Sequence, residues 1–205
     1  MINLAIIISG RGSNMKAILS SILSGNLKNV NPAVVISNRK DAIGLEVAKN
    51  NFNIPTEIVL SNGKKGWDYD KEIVSILRSY NVLPSNGLIC LAGYMKIIST
   101  EFVNEYKFRI MNIHPALLPS FRGLHAQKQA LDYGVKVSGC TVHFVNDEVD
   151  TGPIILQQAV NVYTTDTEDD ISNRILELEH KLYPQAVKLF AENKLKVEGR
   201  KVIIL

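Results

Sequence analysis

Short apolar runs alternate with amphipathic segments through the first half of the chain. The runs of strand length are residues 4–9, 32–38, 56–60, 87–93 and 109–114. Continuous apolar runs such as the first are typical of parallel strands covered on both faces. The segments with helical spacing are residues 15–25, 42–51, 68–81 and a short stretch near 99–107. Because parallel neighbours need a long connection, this alternation predicts a mostly parallel sheet with right-handed crossovers.

The pattern changes after Pro119. A helix is predicted over 125–134, and strands over 138–146 and 153–163 form an antiparallel pair joined by a short acidic loop. The last predicted elements are a long helix over 167–194, capped at Thr167 and kinked at Pro184, and a hairpin over 196–205 that turns at Gly199. No linker interrupts the chain. We therefore predict one α/β domain over residues 1–205, a mostly parallel twisted sheet flanked by helices.

Composition narrows the function classes. The 205 residues are 46% hydrophobic and 21% charged, as in an ordinary globular protein. A net charge of +3 with scattered lysines does not indicate nucleic-acid binding. Cys90 and Cys140 lie in strand-like runs without metal-ligand spacing, which favours reduced, buried thiols. The first apolar run is too short for a signal peptide or a membrane span, so we expect a cytoplasmic protein.

The turn after the first strand reads SGRGSN. Its glycines and the helix that follows would suit a single phosphate, because backbone amides and the helix N-terminus favour an anion. It lacks the Lys-Ser/Thr of a P-loop and the third glycine of a dinucleotide fingerprint. A plain tight turn with Ser13 as helix N-cap explains the same residues equally well.

The stretch NIHPALLP ends the fifth predicted strand with unusual polar residues. Asn112 and His114 are two positions apart, so in a strand they point to the same face. An amide can donate to a developing oxyanion, and histidine is the acid–base residue of neutral pH. An isolated pair of this kind is also explained by a hydrogen-bonded core histidine beside a turn-forming asparagine.

The loop DEVDTG supplies a candidate partner for His114. An Asp close to the ring would hold it, favour the imidazolium and raise its pKa. A solvated acidic turn is the simpler explanation of the loop by itself. His143 lies inside a strand and is predicted to be structural, His125 begins a helix, and His180 lies beside Glu179. None has metal-ligand spacing, so we expect no metal site.

Taken together, these segments resemble a known family. SGRGSN, LAGYMKII, NIHPALLPSFRGLHAQKQAL, TVHFVNDEVDTGPIILQ and TEDDISNRILELEHKLYP occur in the order seen in phosphoribosylglycinamide formyltransferases, a group of the folate-dependent formyltransferases. The resemblance covers essentially the whole chain and implies a Rossmann-like formyltransferase fold. It implies transfer of a formyl group from 10-formyltetrahydrofolate, as co-substrate, to glycinamide ribonucleotide in purine biosynthesis. Two other kinds of folate-dependent formyltransferase are not expected. Methionyl-tRNA formyltransferase would carry a C-terminal RNA-binding domain, but the chain ends at Leu205. Formyltetrahydrofolate deformylase would carry an N-terminal regulatory domain, but the strand pattern begins close to Met1.

The resemblance assigns roles residue by residue. Asn112, His114 and Asp150 match the catalytic trio, and His143 matches a supporting histidine. Glu179 matches a carboxylate that holds the ribose hydroxyls of the substrate. The residues that match the substrate-phosphate turn are Gly12, Ser13 and Asn14. The residues that match the folate site are Met95, Lys96, Ile97, Ile98, Asn112, Asn146, Asp147, Glu148, Val149 and Asp150.

Two positions depart from the family pattern. An arginine that contacts folate shortly before the third helix is absent, and Lys65 or Gly66 stands there. Leu176 occupies a position where some relatives have a polar residue near the substrate. The resemblance therefore does not give the residue that holds the folate tail.

The mechanism implied is direct transfer through a tetrahedral oxyanion, held by Asn112 and a protonated His114 with the help of Asp150. Two other functions explain part of the pattern. A formyltetrahydrofolate hydrolase would use the same trio to activate water, and a non-catalytic nucleotide-binding module would use the SGRGSN turn alone. We expect small-molecule partners rather than nucleic acid or a membrane, with a homodimer left open by the sequence.

Overall fold

The computed structural model describes all 205 residues, and the chain divides into two compact units, Met1–Asn112 and Ile113–Leu205. Each unit is described separately below. The assignment of residues 1–205 to one formyltransferase domain stays a prediction.

The first unit alternates strands and helices as the apolar pattern predicts. Its elements are β1 (Ile2–Ile8), α1 (Ser13–Leu23), β2 (Val30–Ser37), α2 (Ile43–Phe52), β3 (Thr56–Ile58), α3 (Trp67–Ser79), β4 (Gly87–Leu91), α4 (Thr100–Glu105) and the start of β5 (Ile110–His114). Their strand order is β3-β2-β1-β4-β5, and the paired strands are parallel. Residues 4–8 of β1 and all of β4 are buried, which is why both strands read as uninterrupted apolar runs.

The strand order of the first unit places a switch point between β1 and β4. The chain builds outward from β1 to β2 and β3, and then returns to β4 on the other side. In open α/β sheets, ligands bind outside the carboxyl ends of the strands at such a point. The turn after β1 and the segment after β4 therefore lie at the edge where a ligand is expected.

The second unit contains the predicted antiparallel strands. Its elements are α5 (Ala126–Tyr133), β6 (Val137–Phe144), β7 (Ile154–Asn161), α6 (Glu168–Ala191), β8 (Leu195–Glu198) and β9 (Lys201–Ile204). The strands β6 and β7 pair antiparallel, β9 pairs parallel to β7, and β8 and β9 form the terminal hairpin. Gly199 adopts a φ of 60° at the hairpin turn, a conformation that favours glycine. The α/β class with a mostly parallel sheet and an antiparallel C-terminal pair is confirmed.

Most predicted helix ends are confirmed, and one is wrong. Thr167 and Asp170 form a full capping box at the start of α6, with both side chains bonded to the other residue's backbone N–H. Pro184 lies inside α6, which continues to Ala191. Ser13 is not an N-cap: it is the first residue of α1, and Gly12 in the left-handed conformation occupies the cap position. A glycine at this φ of 70° lets the chain turn sharply out of β1.

Cys90 and Cys140 are buried thiols outside any disulfide, in agreement with the sequence. None of the helices combines the length and the apolar character that a membrane crossing requires.

Candidate active site

Two of the predicted segments meet at the carboxyl edge of β1 and β4. Backbone N–H of Ser9 donates to the carbonyl of Gly93 at 3.1 Å, and backbone N–H of Met95 donates to Ser9 Oγ at 2.9 Å. These bonds fix the turn that follows β1 beside the start of the 95–98 segment. The switch point thus brings the predicted phosphate turn and part of the predicted folate wall together.

The phosphate turn is tightly built. A Cβ on Gly12 would lie 3.1 Å from Gly44 Cα, and the backbone N–H of Gly44 donates to the carbonyl of Gly10 at 3.0 Å. The α1 helix begins without a side-chain cap. Because the first N–H groups of a helix have no partner within the helix, an uncapped first turn suits an anion. This geometry favours the phosphate interpretation of the turn over the N-cap interpretation.

The 95–98 segment offers an apolar surface. Met95 and Ile97 are 65% and 77% exposed, whereas Ile98 is buried. Lys96 lies with its Nζ 4.9 Å from the ring centroid of Tyr69. Large apolar side chains that are exposed close together on the surface commonly mark a ligand site.

Asn112 lies on β5, half-buried, in register with Leu91 at the end of β4. It precedes His114 by two residues on the same strand, as predicted. Strand alternation therefore gives the two side chains a common face.

His114 and Asp150 form the centre of the site. His114 Nδ1 lies 3.3 Å from Asp150 Oδ2, and both side chains are at least nine-tenths buried. His114 Nε2 lies 2.8 Å from the carbonyl oxygen of Phe121. Since a carbonyl oxygen only accepts, Nε2 carries the ring proton in the neutral imidazole. The unprotonated Nδ1 then faces the carboxylate.

Asp150 is held from two further sides. Its Oδ2 accepts a hydrogen bond from the backbone N–H of Gly123 at 2.9 Å, and its Oδ1 lies 3.6 Å from Nε2 of His143. His143 Nδ1 is bonded to the carbonyl of Phe144 at 2.9 Å. The carboxylate therefore lies between two imidazoles, each fixed at its far nitrogen by a main-chain carbonyl. The supporting position assigned to His143 agrees with this contact, although its role stays a prediction.

Burial and charge act on the pKa of His114 in opposite directions. Burial lowers the pKa of His114 below its ordinary value, and the charge of Asp150 and the bond to Phe121 only partly oppose this. Asp150 raises the pKa of His114 as predicted, but loss of hydration is the larger influence, so the net shift is downward. Burial also acts to raise the pKa of Asp150, but hydrogen bonds from His143 and Gly123 and the nearby imidazoles bring that pKa below its usual value.

The loop before Asp150 is folded back on itself. Thr151 Oγ1 donates to Asn146 Oδ1 at 2.9 Å, and Asp150 adopts a φ of 54°. A Cβ on Gly152 would lie 1.7 Å from the carbonyl oxygen of Phe144, so only glycine fits there. The loop residues that the sequence assigns to folate and that remain exposed are Asp147, Glu148 and Val149.

The remaining predicted residues lie on the helices. Glu179 is buried on α6, and its charge is one of the causes that raise the pKa of Cys140 to about 12, after burial. Leu176 lies one turn earlier on α6, half-buried. Gly66 has φ 52° and ψ −138°, a conformation that favours glycine, so an arginine at this position would be strained. Lys65, which is exposed, is the cation left at that point of the chain.

No group of three or more His, Cys, Asp and Glu side chains is placed to hold a metal ion. The buried pair of His114 and Asp150 offers a hydrogen-bond donor and a proton acceptor, the groups that general acid–base catalysis requires.

A sequence model described as Formyl transferase matches residues 2–187. The chain is 40% identical over 196 residues to phosphoribosylglycinamide formyltransferase of Escherichia coli (strain K12), covering 95% of this chain and 90% of that protein. The chain belongs to the formyl transferase family. The resemblance that the motifs indicate is thereby confirmed.

Solved structures agree with this family assignment. Glycinamide ribonucleotide transformylase 1 from Symbiobacterium toebii is 46% identical with a TM-score of 0.94, covering 100% of this chain and 94% of that chain. A formyltetrahydrofolate deformylase from Pseudomonas syringae pv. tomato str. DC3000 is 26% identical with a TM-score of 0.90. The match covers 100% of this chain and 66% of that chain. The formyltransferase fold is confirmed, and the deformylase is the more distant of these two.

Two groups at the centre of the site escaped the sequence analysis. The carbonyl of Phe121 and the N–H of Gly123 belong to the main chain, so their chemistry does not depend on residue type. The sequence offers one indirect signal, the glycine in the exit loop; in the structure Phe121 and Gly123 both adopt positive φ, 54° and 79°.

Proposed function

We propose that the protein transfers the formyl group of 10-formyltetrahydrofolate to the amine of glycinamide ribonucleotide, giving formylglycinamide ribonucleotide and tetrahydrofolate. The observation that carries the proposal is the buried contact of His114 Nδ1 with Asp150 Oδ2 at 3.3 Å, in a member of the formyl transferase family. The relatives named as phosphoribosylglycinamide formyltransferase or glycinamide ribonucleotide transformylase support the choice of acceptor.

The first step is attack of the substrate amine on the formyl carbon, which forms a C–N bond and a tetrahedral oxyanion. The side-chain amide of Asn112 and the Nε2–H of His114 donate to that oxyanion. For this, the formyl oxygen replaces the Phe121 carbonyl as the acceptor for Nε2–H. Donors placed for the developing charge stabilise the transition state more than the ground state.

The second step moves a proton from the attacking amine to the leaving folate nitrogen. His114 Nδ1 and the Asp150 carboxylate lie 3.3 Å apart, close enough to share a proton. This pair takes up the proton that the amine loses, and the imidazolium is then paired with Asp150. Transfer to the folate nitrogen, directly or through water, breaks the old C–N bond and returns the site to its starting state.

We assign the binding of each substrate to its own set of residues. Gly12, Ser13 and Asn14 hold the phosphate of glycinamide ribonucleotide at the first turn of α1, and Glu179 accepts hydrogen bonds from its ribose hydroxyls. Met95 to Ile98, Asn112 and the loop from Asn146 to Asp150 hold the folate. The exposed apolar side chains of Met95 and Ile97 support this assignment, since the flat ring faces of a pterin pack well against apolar side chains.

A test of the function uses purified protein with both substrates. Loss of the folate formyl group that depends on glycinamide ribonucleotide, with formylglycinamide ribonucleotide as product, is the expected result. Formate release at the same rate without the nucleotide would instead establish the hydrolase, which the 26%-identical deformylase neighbour makes the natural alternative. No loss of the formyl group in either assay would overturn both.

We further propose that the enzyme works in the cytoplasm on small-molecule substrates only, without nucleic acid, and that it can form a homodimer. The modest net charge of +3 supports the absence of a nucleic-acid partner. Analytical ultracentrifugation at several protein concentrations determines the oligomeric state.

A further inference from the structure

Gln129 ties the loop beside the catalytic pair to a helix. It lies on α5 and donates from Nε2 to the carbonyl oxygens of Arg122 at 3.1 Å and Leu124 at 2.8 Å. These two carbonyls flank Gly123. One side-chain amide therefore holds the backbone on both sides of the residue whose N–H reaches Asp150.

The loop so held contacts both members of the pair through its main chain. The Gly123 N–H donates to Asp150 Oδ2 at 2.9 Å, and the Phe121 carbonyl lies 2.8 Å from His114 Nε2. Asp150 Oδ2 is also the atom that faces His114. A displacement of this loop would therefore move a hydrogen-bond partner of each catalytic side chain.

Phe121 at the start of the loop packs edge-on against Tyr133 of α5, with 6.0 Å between ring centroids, but packing restrains Gly123 and Leu124 only weakly. Nothing lies within 4 Å of the position of a Cβ on Gly123, and Leu124 is 69% exposed. By contrast, α5 is anchored through Ala126 and Ala130, which are fully buried. The two hydrogen bonds from Gln129 therefore hold the loop in place against the anchored helix α5.

We propose that Gln129 is a positioning residue of the active site, which holds the Gly123 N–H on Asp150 and, before substrate binds, the Phe121 carbonyl beside His114. The inference rests on the proposed function for its effect on turnover. In metal sites, replacement of the residues that orient the ligands commonly changes activity about 10–100-fold, and we expect an effect of similar size here. Misplacement by about 1 Å is enough for a loss of this size.

The positioning has a consequence for pH dependence. The Gly123 hydrogen bond is one of the interactions that keep the pKa of Asp150 low. The other groups that face this carboxylate are His114 from β5 and His143 from β6, while Arg122 and Arg200 line a small cavity with it. Gln129→Leu removes no charge, so loosening of the Gly123 bond is the change that raises the pKa of Asp150.

The experiment compares Gln129→Leu with Gln127→Leu, the same substitution two residues earlier on α5. For Gln129→Leu we expect kcat to fall about 10–100-fold, with KM for both substrates within about twofold of wild type and the acid limb of the kcat profile moved to higher pH. Gln127→Leu should match wild type. Equal behaviour of the two variants, or a KM effect without a kcat effect, would overturn the proposal.

Two additions keep the test decisive. If Gln129→Leu does not fold, Gln129→Glu keeps the size of the side chain, removes both donors at neutral pH and should show the same loss of kcat. Carbon NMR titration of the Asp150 carboxyl needs no substrate: a midpoint higher in Gln129→Leu than in Gln127→Leu supports the positioning role, and equal midpoints refute it. If wild type shows no formyl transfer, the proposed function fails, and this titration still decides the role of Gln129.

Discussion

His114 Nδ1 and Asp150 Oδ2 lie 3.3 Å apart in a largely buried environment, while the other nitrogen of the ring is bound to the Phe121 carbonyl. When His114 is neutral with its proton on Nε2, no proton lies between Nδ1 and Asp150 Oδ2, and a hydrogen bond between them forms only after His114 is protonated. Burial lowers the pKa of His114 and so favours that neutral state at rest. The charge of Asp150 acts in the opposite direction and stabilises the imidazolium when His114 takes up a proton.

Replacement of His114 by alanine should abolish most of the turnover. The variant loses an oxyanion donor and the proton acceptor paired with Asp150, and loss of one such donor commonly costs about 100-fold or more in kcat. Steady-state rates with both substrates measure the effect, and circular dichroism confirms that the variant is folded. Near-normal turnover in a folded His114→Ala would refute the assignment.

Asp150→Asn should reduce kcat strongly with the backbone unchanged. Asparagine tolerates the φ of 54° at this position and can still accept the Gly123 hydrogen bond, but it carries no charge to stabilise an imidazolium. The matched control is Asp132→Asn on α5, an exposed carboxylate paired with Lys128, which should leave kcat unchanged. Similar rates for the two variants would contradict the role of Asp150.

The titration of His114 should occur below pH 6.5, the ordinary value for histidine, because burial outweighs the charge of Asp150. In Asp150→Asn the midpoint should fall further, since the negative charge that favours the imidazolium is gone. Nitrogen-15 NMR of the imidazole, assigned by its absence in His114→Ala, measures both midpoints. A midpoint above 6.5 in wild type, or an upward shift in Asp150→Asn, would show that the sign is wrong.

Thr167→Ala should destabilise the protein without changing its chemistry. The substitution removes the capping box at the start of α6 and should cost about 0.5–2 kcal/mol in the free energy of unfolding. Urea unfolding followed by circular dichroism gives this value. Thr165→Ala is the control, an exposed threonine in the preceding turn, and equal losses for the two would argue against the cap.

Much of the fold could be predicted because its causes are local. The apolar runs of β1 and β4 are long enough to be recognised as strands covered on both faces, and the glycines at 134 and 199 mark turns through their backbone freedom. Ser13 shows the limit of such arguments. Serine is a common N-cap, yet Gly12 takes the cap position because the chain leaves β1 in a left-handed turn.

Part of the candidate site could likewise be predicted from the sequence, and part depends on the tertiary structure. The sequence by itself determined that Asn112 and His114 share a face of one strand, because alternation is a property of extended backbone, and the motifs indicated the family and the partner Asp150. Only the tertiary structure decided how deeply the pair is buried, and this burial outweighs the charge of Asp150 in setting the pKa of His114 below its ordinary value. It also supplied the Phe121 carbonyl and the Gly123 N–H, main-chain groups that every sequence contains and that only folding brings to a particular side chain.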